Sequence, residues 1–225
     1  SGQAKILLPM AKPEAVGLDS KKLEAVDEKM EALIEENRLT GGTVVIARKG
    51  KVAHFETYGL RNREEELPVE KDTIFRIYSM TKAITSMAAL MLWEEEKLDL
   101  DDPLSKFFPP LKKMKVWKDG NLIDTQREAT VADLLRHTSG LTYGWMSSKP
   151  IREALRSAGV LDRNKKLVPM MNGMGKVPLQ FQPGSDWVYG CSTDVLGGVV
   201  EVASGMPFDK FLKERIFKPL KMKDT

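Results

Sequence analysis

The chain has 225 residues, 42% of them apolar and 30% charged, which suits a globular protein with one large domain or two small ones. Its net charge is +3 and the basic residues are scattered, so a nucleic-acid surface is not indicated; the densest run, Lys112 to Lys118, reads as a solvated turn. A single cysteine, Cys191, excludes an intrachain disulfide and a thiolate metal cluster, and the two histidines, His54 and His137, lack ligand-like spacing for zinc.

Asp19 and Ser20 can cap a helix over 21–37, whose apolar stripe is Leu23, Val26, Met30 and Leu33. Two strands follow, Val45–Arg48 and Val52–Gly59, and Lys49-Gly50 between them suits a hairpin turn. Residues 73–78 read as a third extended segment. From Met80 to Glu96 the pattern is helical and apolar nearly all round, which predicts a helix buried on most sides. Short helices are expected near 130–137 and 150–158, and two more at Asp194–Ala203 and Phe208–Phe217. No apolar run reaches the roughly 18 residues needed to span a bilayer. No secretory leader is seen, which a mature exported protein would equally lack. Bacterial cytoplasm or periplasm is the expected compartment.

The expected fold class is α/β: an antiparallel sheet flanked by helices, plus a mainly helical subdomain. The division expected is 1–79 with 193–225 as the α/β part and 80–192 as the helical part. Two or three strands are a poor partner for so many apolar helix faces, so further strands are expected beyond residue 225 or on a second chain.

Ser79-Met80-Thr81-Lys82 places a hydroxyl and an amine at i and i+3, on one helix face. A neutral amine there can take the serine proton, and the helix N-terminus favours a developing oxyanion. The tetrapeptide alone is weak, because 12 serines and 24 lysines make one chance match expected. Its context is stronger: the serine follows an extended segment and opens the most apolar helix of the chain. Tyr189 lies on a loop after the Pro183-Gly184 turn and just before a helix that Ser192 or Thr193 can cap, where a phenol can point into a cleft. Taken alone, it reads more readily as a core tyrosine with its hydroxyl tied to backbone. Tyr143, Trp145 and Met170 to Met174 are candidates for pocket walls or for core. No Gly-x-Ser-x-Gly pentapeptide occurs, which argues against an α/β-hydrolase elbow.

Three segments in order, Ser79-Met80-Thr81-Lys82, Leu134-Leu135-Arg136-His137-Thr138-Ser139-Gly140-Leu141, and Pro183-Gly184 with Trp187, Tyr189 and Asp194-Val195-Leu196-Gly197, resemble the class C β-lactamase-like family. That family includes penicillin-binding proteins, DD-peptidases and family VIII carboxylesterases. The resemblance implies that Ser79 is the acylated nucleophile, Lys82 its base or proton relay, and Tyr189 the second proton-handling group. It gives His137 a structural role. It implies no metal or organic cofactor, and a small-molecule ester as substrate. Where the family's β-lactamases carry Tyr-x-Asn, this chain has Cys191, a candidate substrate contact whose change from Asn favours an esterase. The family's Lys-Thr-Gly-type third motif is absent from the 225 residues. A β-lactamase or DD-peptidase, an acyltransferase, and a non-catalytic scaffold are the alternatives.

Overall fold

The computed structural model describes residues 8–160, 162 and 164–225, and the chain divides into two compact units, one ending at Arg76 and the other spanning Ile77–Thr225. The expected division, which joined residues 193–225 to the first 79, is not the one observed. The helix of 192–204 packs instead with the helices of the second unit.

In the first unit, α1 (Ser20–Glu35) starts at Asp19, whose carboxylate accepts the Lys21 N–H at 3.0 Å. Strands β1 (Gly41–Arg48) and β2 (Lys51–Asn62) form an antiparallel hairpin, and a two-residue β3 (Leu67–Pro68) joins the other edge of β2. The hairpin turn is Lys49-Gly50, with φ of 52° and 69°. Both values are positive, the geometry that matches the twist of the flanking strands. Residues 73–78 form no strand; the third strand lies earlier, at β3. A small buried polar group ties α1 to β2. Tyr58 donates to Asp27, and His54 Nε2 lies 3.1 Å from the same carboxylate.

The second unit is mainly helical. A 3₁₀ turn (Tyr78–Met80) leads into α2 (Thr81–Glu94). A two-stranded ribbon, β4 (Lys115–Lys118) and β5 (Asn121–Asp124), follows. Then come α3 (Val131–Arg136), α4 (Lys149–Ala158), α5 (Leu167–Gly173), α6 (Ser192–Ser204) and α7 (Phe208–Leu212), the last running into a π-helical turn (Lys213–Phe217). Helix α6 sits at the centre, packed on α2, α3, α5 and α7. The core around it holds Leu92, Leu104, Phe108, Leu134, Met171, Leu196 and Phe211.

Helix α2 departs from expectation. Thr85, Ala88, Ala89 and Leu92 are buried, but Met87, Leu90 and Trp93 are 48%, 42% and 47% exposed. Together with Leu98 and Lys106 that open face lines a groove of about 1020 Å³. The small residues of the opposite face are the ones that let α6 approach closely. No helix among the described residues is long and apolar enough to cross a membrane.

The start of α3 is held by an ion pair whose carboxylate is buried and whose guanidinium is half-exposed. Thr130 and Asp133 form a reciprocal capping box, and Asp133 also binds Arg127 through two contacts, 2.5 and 3.0 Å, and the Thr138 hydroxyl at 2.8 Å. Burial alone would raise the Asp133 carboxyl. The Arg127 guanidinium and the Thr130 and Thr138 donors outweigh it and hold the carboxyl below its ordinary 3.8. A depressed carboxyl contributes stability that is present above its unfolded pKa and lost as pH falls through the folded one. Unfolding in urea is therefore expected to ease as pH drops below about 4. At pH 7 Asp133→Asn is expected to cost about 1.5–3 kcal/mol and to flatten that acid dependence.

Candidate active site

Ser79 is held in the turn before α2 by an unusual backbone. Tyr78 has φ of 44°, a left-handed conformation that a bulky side chain adopts only at a cost, and such strain clusters at functional sites. The turn leaves Ser79 exposed. Its Oγ lies 2.7 Å from the Tyr189 hydroxyl, although 110 residues separate the two. Lys82, three residues on, places Nζ 4.9 Å from the centre of the Tyr189 ring. A serine, a lysine and a tyrosine thus meet at one surface.

The Lys82 ammonium has a second neighbour that sequence reasoning assigned to the pocket wall. Nζ donates to the Tyr143 hydroxyl at 3.3 Å, and that hydroxyl donates to Asp194 Oδ2 at 2.9 Å. Burial and the adjoining Asp194 carboxylate push the Tyr143 phenol well above its ordinary value, so it stays protonated and donates. Tyr189 behaves in the opposite way. Its hydrogen bond with Ser79, and then Lys82, lower its phenol below the usual 10. Two tyrosines whose rings are 5.8 Å apart are thereby tuned in opposite directions. The sequence marks Asp194 as a helix start and as part of the third family-like segment, without a role at the site. A carboxylate in the first turn of α6, five residues after Tyr189, was the available signal.

The loop bearing Tyr189 is fixed by its neighbours. The Val188 N–H donates to the His137 carbonyl at 3.1 Å, the Gly190 N–H to His137 Nδ1 at 3.4 Å, and the His137 ring lies 5.1 Å from that of Tyr189. Burial, then the Lys82 charge, lowers the His137 imidazole and keeps it an acceptor. Ser139 and Ser192, both buried, share a hydrogen bond of 2.9 Å that ties the His-Thr-Ser-Gly segment to α6. Ser192 is therefore no helix cap. The N-cap position is Cys191, without a side-chain cap bond.

Gly190 is required by close approach. A Cβ there would stand 2.4 Å from both the Leu141 carbonyl oxygen and the Thr142 Cα, which are backbone and cannot swing aside. Gly190→Ala must push the Tyr189 loop outward. Displacements near 1 Å can cost about 10² in rate. The expected result is a drop of that size in kcat, with a lower melting temperature by calorimetry.

The remaining sequence candidates separate. Trp145 is 71% exposed and stacks on Tyr143 at 4.5 Å between ring centres. Cys191 is wholly buried, and its thiol donates to the Thr142 carbonyl at 3.3 Å. Burial pushes that thiol up to about 12. The structure thus corrects the reading of Cys191 as a substrate contact: its side chain packs inward and leaves the cleft to the tyrosines. Met171 and Met174 are core residues.

The Beta-lactamase family model matches residues 26–225. The chain belongs to that family. It is 34% identical to Esterase EstB of Burkholderia gladioli over 216 residues, covering 94% of this chain and 53% of that protein. Among solved structures it is similar to EstCE1, a hydrolase with promiscuous acyltransferase activity, at a TM-score of 0.75 and 28% identity, covering 90% of this chain and 51% of the other. It is also similar to simvastatin synthase (LovD) from Aspergillus terreus, at a TM-score of 0.71 and 26% identity, covering 88% and 51%. The chain spans about half the length of the curated relatives it matches.

Proposed function

We propose that the protein is a serine hydrolase acting on carboxylic esters, with Ser79 as the acylated nucleophile, Tyr189 as the group that takes and returns its proton, and Lys82 as the group that stabilises the charge on Tyr189. The observation that carries this reading is the 2.7 Å contact between the Ser79 and Tyr189 hydroxyls beside an amine. In the first step Ser79 Oγ attacks the ester carbonyl carbon while its proton passes to Tyr189. The proton acceptor is the Tyr189 phenolate, which Ser79 and Lys82 make accessible by lowering this phenol below its usual range, and the Lys82 amine group stabilises that negative charge. The protonated Tyr189 returns the proton to the departing alkoxide, the alcohol leaves, and an acyl-enzyme remains. Water deprotonated at Tyr189 then releases the acid and regenerates Ser79. Tyr143 and Asp194 hold Lys82 in place. Small neutral esters such as p-nitrophenyl acetate and butyrate are the expected reporters. Their hydrolysis, set against that of a cephalosporin, separates an esterase from a β-lactamase.

Acyl transfer is the second reading, favoured by the similarity to EstCE1 and to simvastatin synthase. It uses the same acyl-enzyme and replaces water by an acceptor alcohol. Adding an alcohol and weighing new ester against free acid distinguishes the two.

In this scheme Asp194→Asn removes the charge that anchors Tyr143 and, through it, Lys82. Hydrogen bonds to charged groups contribute about 1.5–3 kcal/mol, so kcat on p-nitrophenyl butyrate is expected to fall about tenfold to a hundredfold with KM little changed. An unaltered kcat would remove the Asp194–Tyr143 pair from the mechanism.

A further inference from the structure

The second unit holds a cavity of about 420 Å³ lined by Gly144, Trp145, Arg152, Leu155, Arg156 and Val160, and its Trp145 ring stacks on Tyr143 of the candidate site. We propose that this cavity binds an anionic, carboxylate-ended arm of the substrate, so that the preferred esters carry a negative charge at the end of an apolar chain.

Three observations support this. Arg152 and Arg156 stand one turn apart on α4 and both face the cavity, and among the described residues neither has an ion-pair partner; the acid of that helix, Glu153, sits 3.9 Å from Lys149 instead. Two like charges at i and i+4 repel, and an anion between them relieves that repulsion. A guanidinium fork also matches a carboxylate in geometry as an ammonium does not. The remaining lining is apolar: Leu155, which is buried, Val160, and the indole of Trp145. Such a surface takes methylenes and leaves the charge to the arginines. Finally, Trp145 connects the cavity to the chemistry. Its ring stacks on Tyr143, whose hydroxyl touches Lys82 and whose ring neighbours that of Tyr189. Trp145 thus belongs both to the cavity wall and to the ring stack that begins at the candidate site. No charged partner within α4 competes for them, so the pair is free to be matched by a ligand.

The inference rests on the ester-hydrolase reading for its biological sense, and its tests separate the two. Hydrolysis is compared at matched chain length between neutral esters (p-nitrophenyl hexanoate, octanoate and decanoate) and the p-nitrophenyl half-esters of adipate, suberate and sebacate. At one or more lengths kcat/KM is expected to be at least about tenfold higher for the anionic ester, the preference lying in KM and fading with added salt. In the double variant Arg152→Gln, Arg156→Gln the preference should vanish while turnover of p-nitrophenyl butyrate stays unchanged. A ratio at or below one in the parent, or a ratio that survives the double substitution, overturns the proposal. Loss of all ester turnover would sink the ester-hydrolase reading alone, because binding is read independently. Monomethyl suberate should perturb the Trp145 indole N–H resonance saturably, that resonance being assigned with Trp145→Phe. Dimethyl suberate should not, and the double variant should bind at least about tenfold more weakly. Equal perturbation by the two esters, or none by either, overturns the proposal whatever the turnover.

Discussion

Ser79→Ala is expected to reduce ester hydrolysis by about 10⁴–10⁶, to the background set by the remaining site, while leaving the melting curve within experimental scatter. The size follows from the chemistry. Without Oγ no acyl-enzyme forms, and neither Tyr189 nor Lys82 is placed to substitute as a nucleophile. The intact fold follows from the position of the residue. Ser79 is exposed, and its hydroxyl bonds to Tyr189 across the mouth of the site, away from the packed core. A fall in activity accompanied by unfolding would assign Ser79 a structural role; retained activity would remove it from the chemistry. Burst kinetics with p-nitrophenyl acetate supply the matching positive result: one equivalent of p-nitrophenol per active site before the steady state, present in the parent and absent in Ser79→Ala.

Tyr189→Phe is expected to lower kcat by about 10²–10⁴, the range of a well-placed general base. The ring, its packing on His137 and its distance from Tyr143 are all retained by phenylalanine, so the loss isolates the hydroxyl. The pH profile carries a second signature. Because Ser79 and Lys82 lower this phenol below 10, activity in the parent should rise with pH through a midpoint below 10 and level off above it. The sign is that of a base that works deprotonated. The limb should disappear in Tyr189→Phe, whose residual activity should follow hydroxide. An unchanged limb would mean that another group titrates there.

The residues to which the proposed mechanism gives the chemistry lie in short, linear motifs, which is why the sequence singles them out. Ser79 and Lys82 have the spacing of one helix face, and Tyr189, ambiguous by itself, stands out through the order of the three segments that resemble the family. The arrangement that holds them was less accessible. Tyr143 and Asp194 are 51 residues apart, and only packing shows that one phenol bridges an amine and a carboxylate. The motif position of Cys191 suggests a substrate contact, whereas only packing shows its thiol turned inward to the Thr142 carbonyl. The hairpin and α1 followed from capping, turn and periodicity signals. The β4–β5 ribbon did not, although Asp119-Gly120 is a strong hairpin dipeptide and both residues have positive φ, 48° and 84°. The lysines around Val116 and Trp117 obscured it. Residues 73–78 looked extended, yet among the described residues they pair with no strand. For α2 the apolar composition suggested burial on most sides, but composition does not say which face meets α6. Alanines chose that face, and the larger Met87, Leu90 and Trp93 were left outward.

In the proposed mechanism the Ser79 hydroxyl is made nucleophilic by the phenolate of Tyr189 beside it. Reaction of the protein with a fluorophosphonate, followed by peptide mapping in a mass spectrometer, tests it most directly. One adduct is expected, on Ser79, formed faster as pH rises towards the plateau and slowed by at least about a hundredfold in Tyr189→Phe. An adduct on a different serine, no adduct at all, or equal labelling of Ser79 with and without the Tyr189 hydroxyl would contradict it.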